Sequence, residues 1–183
     1  MPGVLHHRIE GPAWGEPLLL GPSLGTSLAV WEPQVGALAR THRVVRWDLP
    51  GHGGSPAALL PAGSSIAELG RLVLDLADSL GIGRFAYAGI SLGGAVGAWL
   101  AVHHPDRVGS LALVCSSARF GDPDAWRRRA AAVRAEGTGP AGRRRGRPLV
   151  RSRVRCRPGG RGAGEGADRR PARRRSGRVC RLL

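Results

Sequence analysis

A serine set between two glycines, Gly89-Ile90-Ser91-Leu92-Gly93, is the residue pattern most able to do chemistry in this chain. A serine hydroxyl attacks an acyl carbon well only when it stands clear of the backbone at a sharp turn. Glycines two residues away on either side allow that turn, because a Cβ there would crowd the neighbouring strand and helix. The flanking residues supply the required context. Arg84-Phe85-Ala86-Tyr87-Ala88-Gly89 reads as a buried central strand running into the turn, and Leu92–His103 reads as a helix leaving it. With 29 glycines in 183 residues, the competing reading is a glycine-rich turn with an incidental serine. The strand before and helix after favour a nucleophile.

Acyl transfer also needs N–H donors for the oxyanion that forms on attack. One is the N–H of the residue after the nucleophile, Leu92. The second is expected from a loop after an early strand, and Leu24 in Gly21-Pro22-Ser23-Leu24-Gly25 is placed to offer it. The competing reading of that stretch is an ordinary glycine turn.

The elements that must position these groups alternate between strand-like and helix-like segments, the pattern of a mostly parallel sheet covered by helices. Strands at Val4–Glu10 and Pro17–Leu20 flank the turn Gly11-Pro12-Ala13-Trp14-Gly15, as in a hairpin. A helix is expected over Leu28–Arg40 and a short apolar strand over Arg43–Trp47. The Gly- and Pro-rich stretch Leu49–Gly63 reads as a loop. Ser65-Ile66-Ala67-Glu68 has the form of a capping box, and Ile66, Leu69, Leu72, Val73, Leu76 and Leu80 then recur at helical spacing. Val108–Cys115 reads as a further buried strand. Asp122–Glu136 reads as a helix with Asp122 or Asp124 near its N-terminus, where the helix dipole favours negative charge.

The formal net charge of +15 would ordinarily point to a polyanionic partner, but it is unevenly placed. Residues 1–140 hold 12 Arg against 11 acidic residues, and residues 141–183 hold 16 Arg against 2. There is no Lys, as expected of coding DNA very rich in G and C. The division predicts a folded unit over 1–138 and an Arg/Gly/Pro-rich tail over 139–183, which has too few large apolar side chains to offset its chain entropy and is expected to be disordered. Cys115, Cys156 and Cys180 have neither the even count of a disulfide framework nor the paired spacing of a zinc site, so no metal is expected and a reducing cytoplasm is the simple location. No apolar run suits a signal peptide or a membrane span.

Leu18–Thr26, the loop Asp48-Leu49-Pro50-Gly51-His52-Gly53-Gly54-Ser55 and Gly89–Gly94 together resemble the α/β-hydrolase superfamily. Ser116-Ser117-Ala118-Arg119-Phe120-Gly121-Asp122-Pro123-Asp124-Ala125-Trp126, with Arg128 to Gly137, resembles the stretch leading into the cap of 3-oxoadipate enol-lactonases. The resemblance covers roughly residues 4–138. It implies an α/β sheet, mostly parallel with helices on both faces, that stops before the cap and last strands. It also implies a small-molecule lactone or ester substrate of aromatic catabolism, hydrolysed through the β-ketoadipate route without cofactor. Ser91 would attack the lactone carbonyl, the Leu24 and Leu92 N–H groups would hold the oxyanion, a histidine would act as base and an acid would orient it.

The last two roles find no residue. His52 lies in a loop where the resembled histidine is structural, and the superfamily places its acid and histidine after the serine. His103 and His104 sit about 18 Å along the helix that starts at the serine turn, at 1.5 Å per residue, and point away from the site. His6 and His7 are poorer candidates still. Asp106, Asp122 and Asp124 precede the region where the family's acid falls, and Glu165 and Asp168 belong to the tail. No triad acid and no triad histidine are therefore expected, and hydrolysis should be severely impaired.

Two explanations of the tail stay open. A shift of reading frame near residues 137–142 would replace the cap, acid and histidine with Arg, Gly, Ala and Pro. Alternatively, a hydrolase-derived scaffold carries a basic arm for nucleic acid or acidic surfaces, with Arg143–Arg145 and Arg173–Arg175 as contacts. A related hydrolase acting on another ester or on a carbon–carbon bond is the alternative within the enzyme class.

Overall fold

The computed structural model describes residues 3–137. The chain divides into two compact units, Met1–Arg129 and Ala130–Leu183. The sheet and every residue of the candidate site belong to the first. Of the second, only the end of the last helix and Gly137 are described. The expectations for the arginine-rich tail lie outside the described residues.

Among the described residues five strands form one sheet: β1 (His7–Glu10), β2 (Glu16–Gly21), β3 (His42–Trp47), β4 (Phe85–Ile90) and β5 (Val108–Val114). Their order is β1-β3-β2-β4-β5. All neighbours are parallel except β1, which runs antiparallel to β3. The hairpin expected between the first two strands does not form, because β3 lies between them. Burial explains the arrangement. Leu18, Leu19 and Leu20 are apolar on both faces, which suits a central strand with a parallel neighbour on each side. The β1 sequence His7-Arg8-Ile9-Glu10 suits an edge.

Alternation along the strands divides the core in two. Leu19, Val45, Phe85 and Tyr87 face helices α2 (Ile66–Ser79) and α3 (Leu92–His103), packing with Val73, Leu76, Val96 and Leu100. Leu18, Leu20 and Val44 face the opposite way, onto Trp31. Trp31 ends a 3₁₀ turn, Leu28–Trp31, which is followed by α1 (Glu32–Leu38). The single helix expected over Leu28–Arg40 is thus two pieces. Ser27 caps the 3₁₀ turn through its side chain, and Pro33, at the start of α1, favours a fresh helix start. The capping box at α2 forms as expected, with Ser65 Oγ accepting from Glu68 N–H and the Glu68 carboxylate accepting from Ser65 N–H at 2.7 Å.

One part of the β1/β3 edge was not anticipated from the sequence. Arg46, on β3, is 1% exposed. Its guanidinium pairs with Glu10 of β1 and, at 2.6 Å, with Glu32 of α1. A buried cation is costly unless paired, so these carboxylates are what make an arginine tolerable there.

β5 departs from expectation more sharply. Of its residues only Val108 is buried, while Leu111, Leu113 and Val114 are 37%, 51% and 39% exposed. It is the outermost strand and pairs with β4 alone among the described residues. The apolar sequence was right for a strand, but burial needs a neighbour on each side. Helix α4 (Pro123–Glu136) then carries no buried residue.

Candidate active site

Chain direction decides where a site can form. From β2 the chain moves to β3 on one side, and from β4 it moves to β5 on the other. The loops leaving β2 and β4 therefore part at the carboxyl ends of two adjacent parallel strands, leaving a crevice of the kind that binds ligands in open α/β sheets. The first of these loops holds Leu24, and the second is the turn at Ser91.

Ser91 has φ +52°, a left-handed conformation that L-residues rarely adopt. The surroundings force it. Its N–H donates to Val114 O at 2.9 Å, its carbonyl accepts from Ala95 N–H at 3.1 Å and from Ser116 Oγ at 2.8 Å. The glycines on either side are there for close approach of backbone. A Cβ on Gly89 would collide with the Gly93 carbonyl and Gly94 N, and one on Gly93 would lie 2.5 Å from the Gly21 carbonyl carbon and 2.7 Å from Pro22 O. Gly93 N–H donates to that same Pro22 O at 3.0 Å, tying the serine turn to the loop after β2. Beneath the turn, the buried Tyr87 hydroxyl donates to Gly93 O at 3.0 Å, and burial raises its pKa far above the ordinary phenol range.

A pocket of about 270 Å³ opens over Ser91, lined by Leu24, Ser91, Leu92, Phe120 and Trp126. The structure thus brings Ser91, Leu24 and Leu92 to one cavity. Phe120 and Trp126, from the segment after β5, supply its wall, and Trp126 Nε1 donates to the Phe120 carbonyl. Apart from the Ser91 hydroxyl the lining side chains are apolar. An acyl group of small size can sit there with its carbonyl carbon near the serine.

The histidines and acids among the described residues lie elsewhere. His103 Nδ1 contacts Trp99 O at 2.9 Å and its ring stacks on Trp99 at 4.7 Å, while His104 lies 5.3 Å from the same ring. His7 Nδ1 contacts Leu5 O at 2.9 Å. His52 Nε2 accepts from Gly25 N–H at 3.0 Å, and its Nδ1 lies 3.1 Å from Pro50 O. Asp122 accepts from Asp124 N–H and Ala125 N–H, both at 3.1 Å, so it caps α4, and Asp124 pairs with Arg127. None of these side chains lines the Ser91 pocket. Among the described residues no cluster of His, Cys, Asp and Glu could hold a metal ion. No helix among them is long and apolar enough to cross a membrane.

One acid has a role that its sequence position did not reveal. Asp48 is 1% exposed and accepts from Leu28 N–H at 2.6 Å and Gly54 N–H at 3.0 Å, and its Oδ2 contacts His6 Nδ1 at 2.7 Å. Burial alone would raise its pKa, but the donors at Gly54, Leu28 and His6 outweigh it and hold the carboxyl below its ordinary value. Asp48 joins three segments of chain next to the site. Its signal was the acid closing an apolar strand before a glycine-rich loop.

A strand-turn-helix serine at the switch point of a mostly parallel sheet defines a class, and residues 16–139 match the alpha/beta hydrolase fold family. The chain belongs to that family. It is 48% identical over 111 residues to the putative carbamate hydrolase RutD of Variovorax paradoxus, an alignment covering 60% of this chain and 41% of that protein. It is 37% identical over 134 residues to 3-oxoadipate enol-lactonase 1 of Acinetobacter baylyi, covering 73% and 49%. Among solved structures, the enol-lactonase of Burkholderia xenovorans LB400 superposes with TM-score 0.73 at 41% identity, over 76% of this chain and 54% of that one. The chain spans about half the length of these relatives or less.

Proposed function

We propose that Ser91 is an acyl-accepting nucleophile whose oxyanion is held by the backbone N–H groups of Leu24 and Leu92, and that the substrate is a lactone of the 3-oxoadipate enol-lactone type. The observation that carries this reading is the left-handed Ser91 on the floor of a pocket that Leu24 and Leu92 also line. Attack of the Ser91 oxygen on the lactone carbonyl would form a bond to carbon and open the ring. The hydroxyl proton has to leave, and the displaced enolate oxygen has to receive one. In a serine triad a histidine carries that proton.

Among the described residues no histidine or acid lines the pocket, which supports the further reading that this chain turns over slowly. Without a base the alcohol stays weakly nucleophilic, and loss of the triad histidine removes most of the rate even where oxyanion donors survive. The relatives named as putative carbamate hydrolases favour a second reading, in which the same serine turn meets a carbamate carbonyl.

Following loss of the enol-lactone, and separately of a carbamate, with the chain and with Ser91→Ala tests both points. Near-background rates in both proteins are expected. A robust rate that Ser91→Ala abolishes would overturn the slow-turnover reading. Mass spectrometry after long exposure to excess fluorophosphonate is expected to find a slowly formed adduct on Ser91, and an adduct elsewhere would overturn its assignment as nucleophile.

A further inference from the structure

We infer that His52 is a positioning residue, whose neutral imidazole fixes the oxyanion loop by accepting the Gly25 N–H at Nε2. The inference rests on the reading of Leu24 as an oxyanion donor.

The two ring contacts define one tautomer. Pro50 O, 3.1 Å from Nδ1, can only accept, so Nδ1 carries the proton. Gly25 N–H, 3.0 Å from Nε2, can only donate, so Nε2 offers its lone pair. A histidine held at one nitrogen by a carbonyl presents the other with a set direction.

The backbone that carries the ring is itself anchored. His52 N–H donates to Leu49 O at 2.9 Å, and His52 O accepts from Ser55 N–H at 3.0 Å. Ser55 Oγ donates to Asp48 O at 2.8 Å, and the Asp48 carboxylate holds Gly54 N–H at 3.0 Å. The acceptor thus projects from a loop fastened to the end of β3.

The loop it grips is a tight turn. Thr26 N–H donates to Ser23 O at 3.1 Å, with Gly25 at φ +76°, a conformation that requires glycine at that place in the turn. On one side, Pro22 O ties this loop to the serine turn through Gly93 N–H. On the other, His52 holds the peptide that follows Leu24. Rotation of either peptide re-aims the Leu24 N–H, and oxyanion stabilisation depends steeply on donor position. His52 touches no reacting atom; it acts through Gly25.

The test uses the full ¹⁵N-labelled chain. NMR is expected to find His52 protonated at Nδ1 and bare at Nε2, with a scalar coupling across the hydrogen bond to Gly25 N. In His52→Leu, amide exchange at Leu24 and Gly25 should rise by about tenfold or more, with α3 and β4 amides unchanged, and fluorophosphonate modification of Ser91 should slow by about tenfold or more. His52→Gln, whose Oε1 reaches the place of Nε2, should restore both to within about threefold. The inference is overturned by parental exchange in His52→Leu, by His52→Gln failing as fully as His52→Leu, or by uniform acceleration through α2, α3 and β4, which would assign His52 to fold stability. If Ser91 is unmodified in every variant while the exchange pattern holds, the His52 contact stands and the nucleophile reading fails instead.

Discussion

The serine turn after β4 and the strand β5 beside it are both mainly apolar in sequence but have opposite surroundings. At the turn, backbone meets backbone so closely that Gly89 and Gly93 admit no Cβ. One strand further out, Leu113 pairs with Gly89 in register and is 51% exposed. The difference lies in neighbours: β4 is flanked by β2 and β5, and β5 by β4 alone among the described residues. Apolar composition makes a strand, whereas position in the sheet decides whether that strand contributes to the core or only extends it.

Substitutions can break or sharpen this contrast, all read by urea denaturation unless noted. The largest effect is expected from Gly89→Val, whose methyls meet the Gly93 and Gly94 backbone that cannot move aside. A loss of more than about 4 kcal/mol, enough to prevent folding, should follow. A folded Gly89→Val protein would show that the turn has room. Next, Leu19→Ala in β2, fully buried, should cost about 3 kcal/mol, whereas Leu113→Ala should cost less than about 1. Equal costs would mean that β5 is covered in solution.

Asp48 probes the loop that braces the turn. Its folded pKa lies below the ordinary carboxylate value, so its stabilising effect is complete above about pH 4 and is lost as pH falls through the lower folded value. Asp48→Asn should cost about 2 kcal/mol at pH 7 and flatten the stability-pH curve below about pH 4. An unchanged acid limb would remove Asp48 from that role. The last effect has the opposite sign. Ser91→Gly should gain about 1 kcal/mol by relieving the left-handed serine at φ +52°, while removing the fluorophosphonate adduct. A loss of stability would show that the serine side chain, and not only its backbone, supports the turn.

The serine turn was legible in the sequence because everything that defines it lies within a few residues: an apolar strand, two spaced glycines and a helix. The capping box at Ser65 and Glu68 was legible for the same reason. Strand order was not, since neither His7–Glu10 nor Glu16–Gly21 states that His42–Trp47 will come between them. The buried Arg46 was missed although a signal existed. A charged residue inside Val44-Val45-Arg46-Trp47 demands partners, and these came from 36 and 14 residues away. Leu24 was placed at the pocket from loop position, but the His52 contact across 27 residues was not foreseeable from spacing.

The pocket draws its serine from the loop after β4 and its aromatic wall, Phe120 and Trp126, from the segment after β5. Heredity can therefore treat the two separately. Replacement of the segment beyond Ser116, whose hydroxyl holds the Ser91 carbonyl, alters what fits while leaving the glycine-locked turn untouched, so wall and nucleophile can change independently.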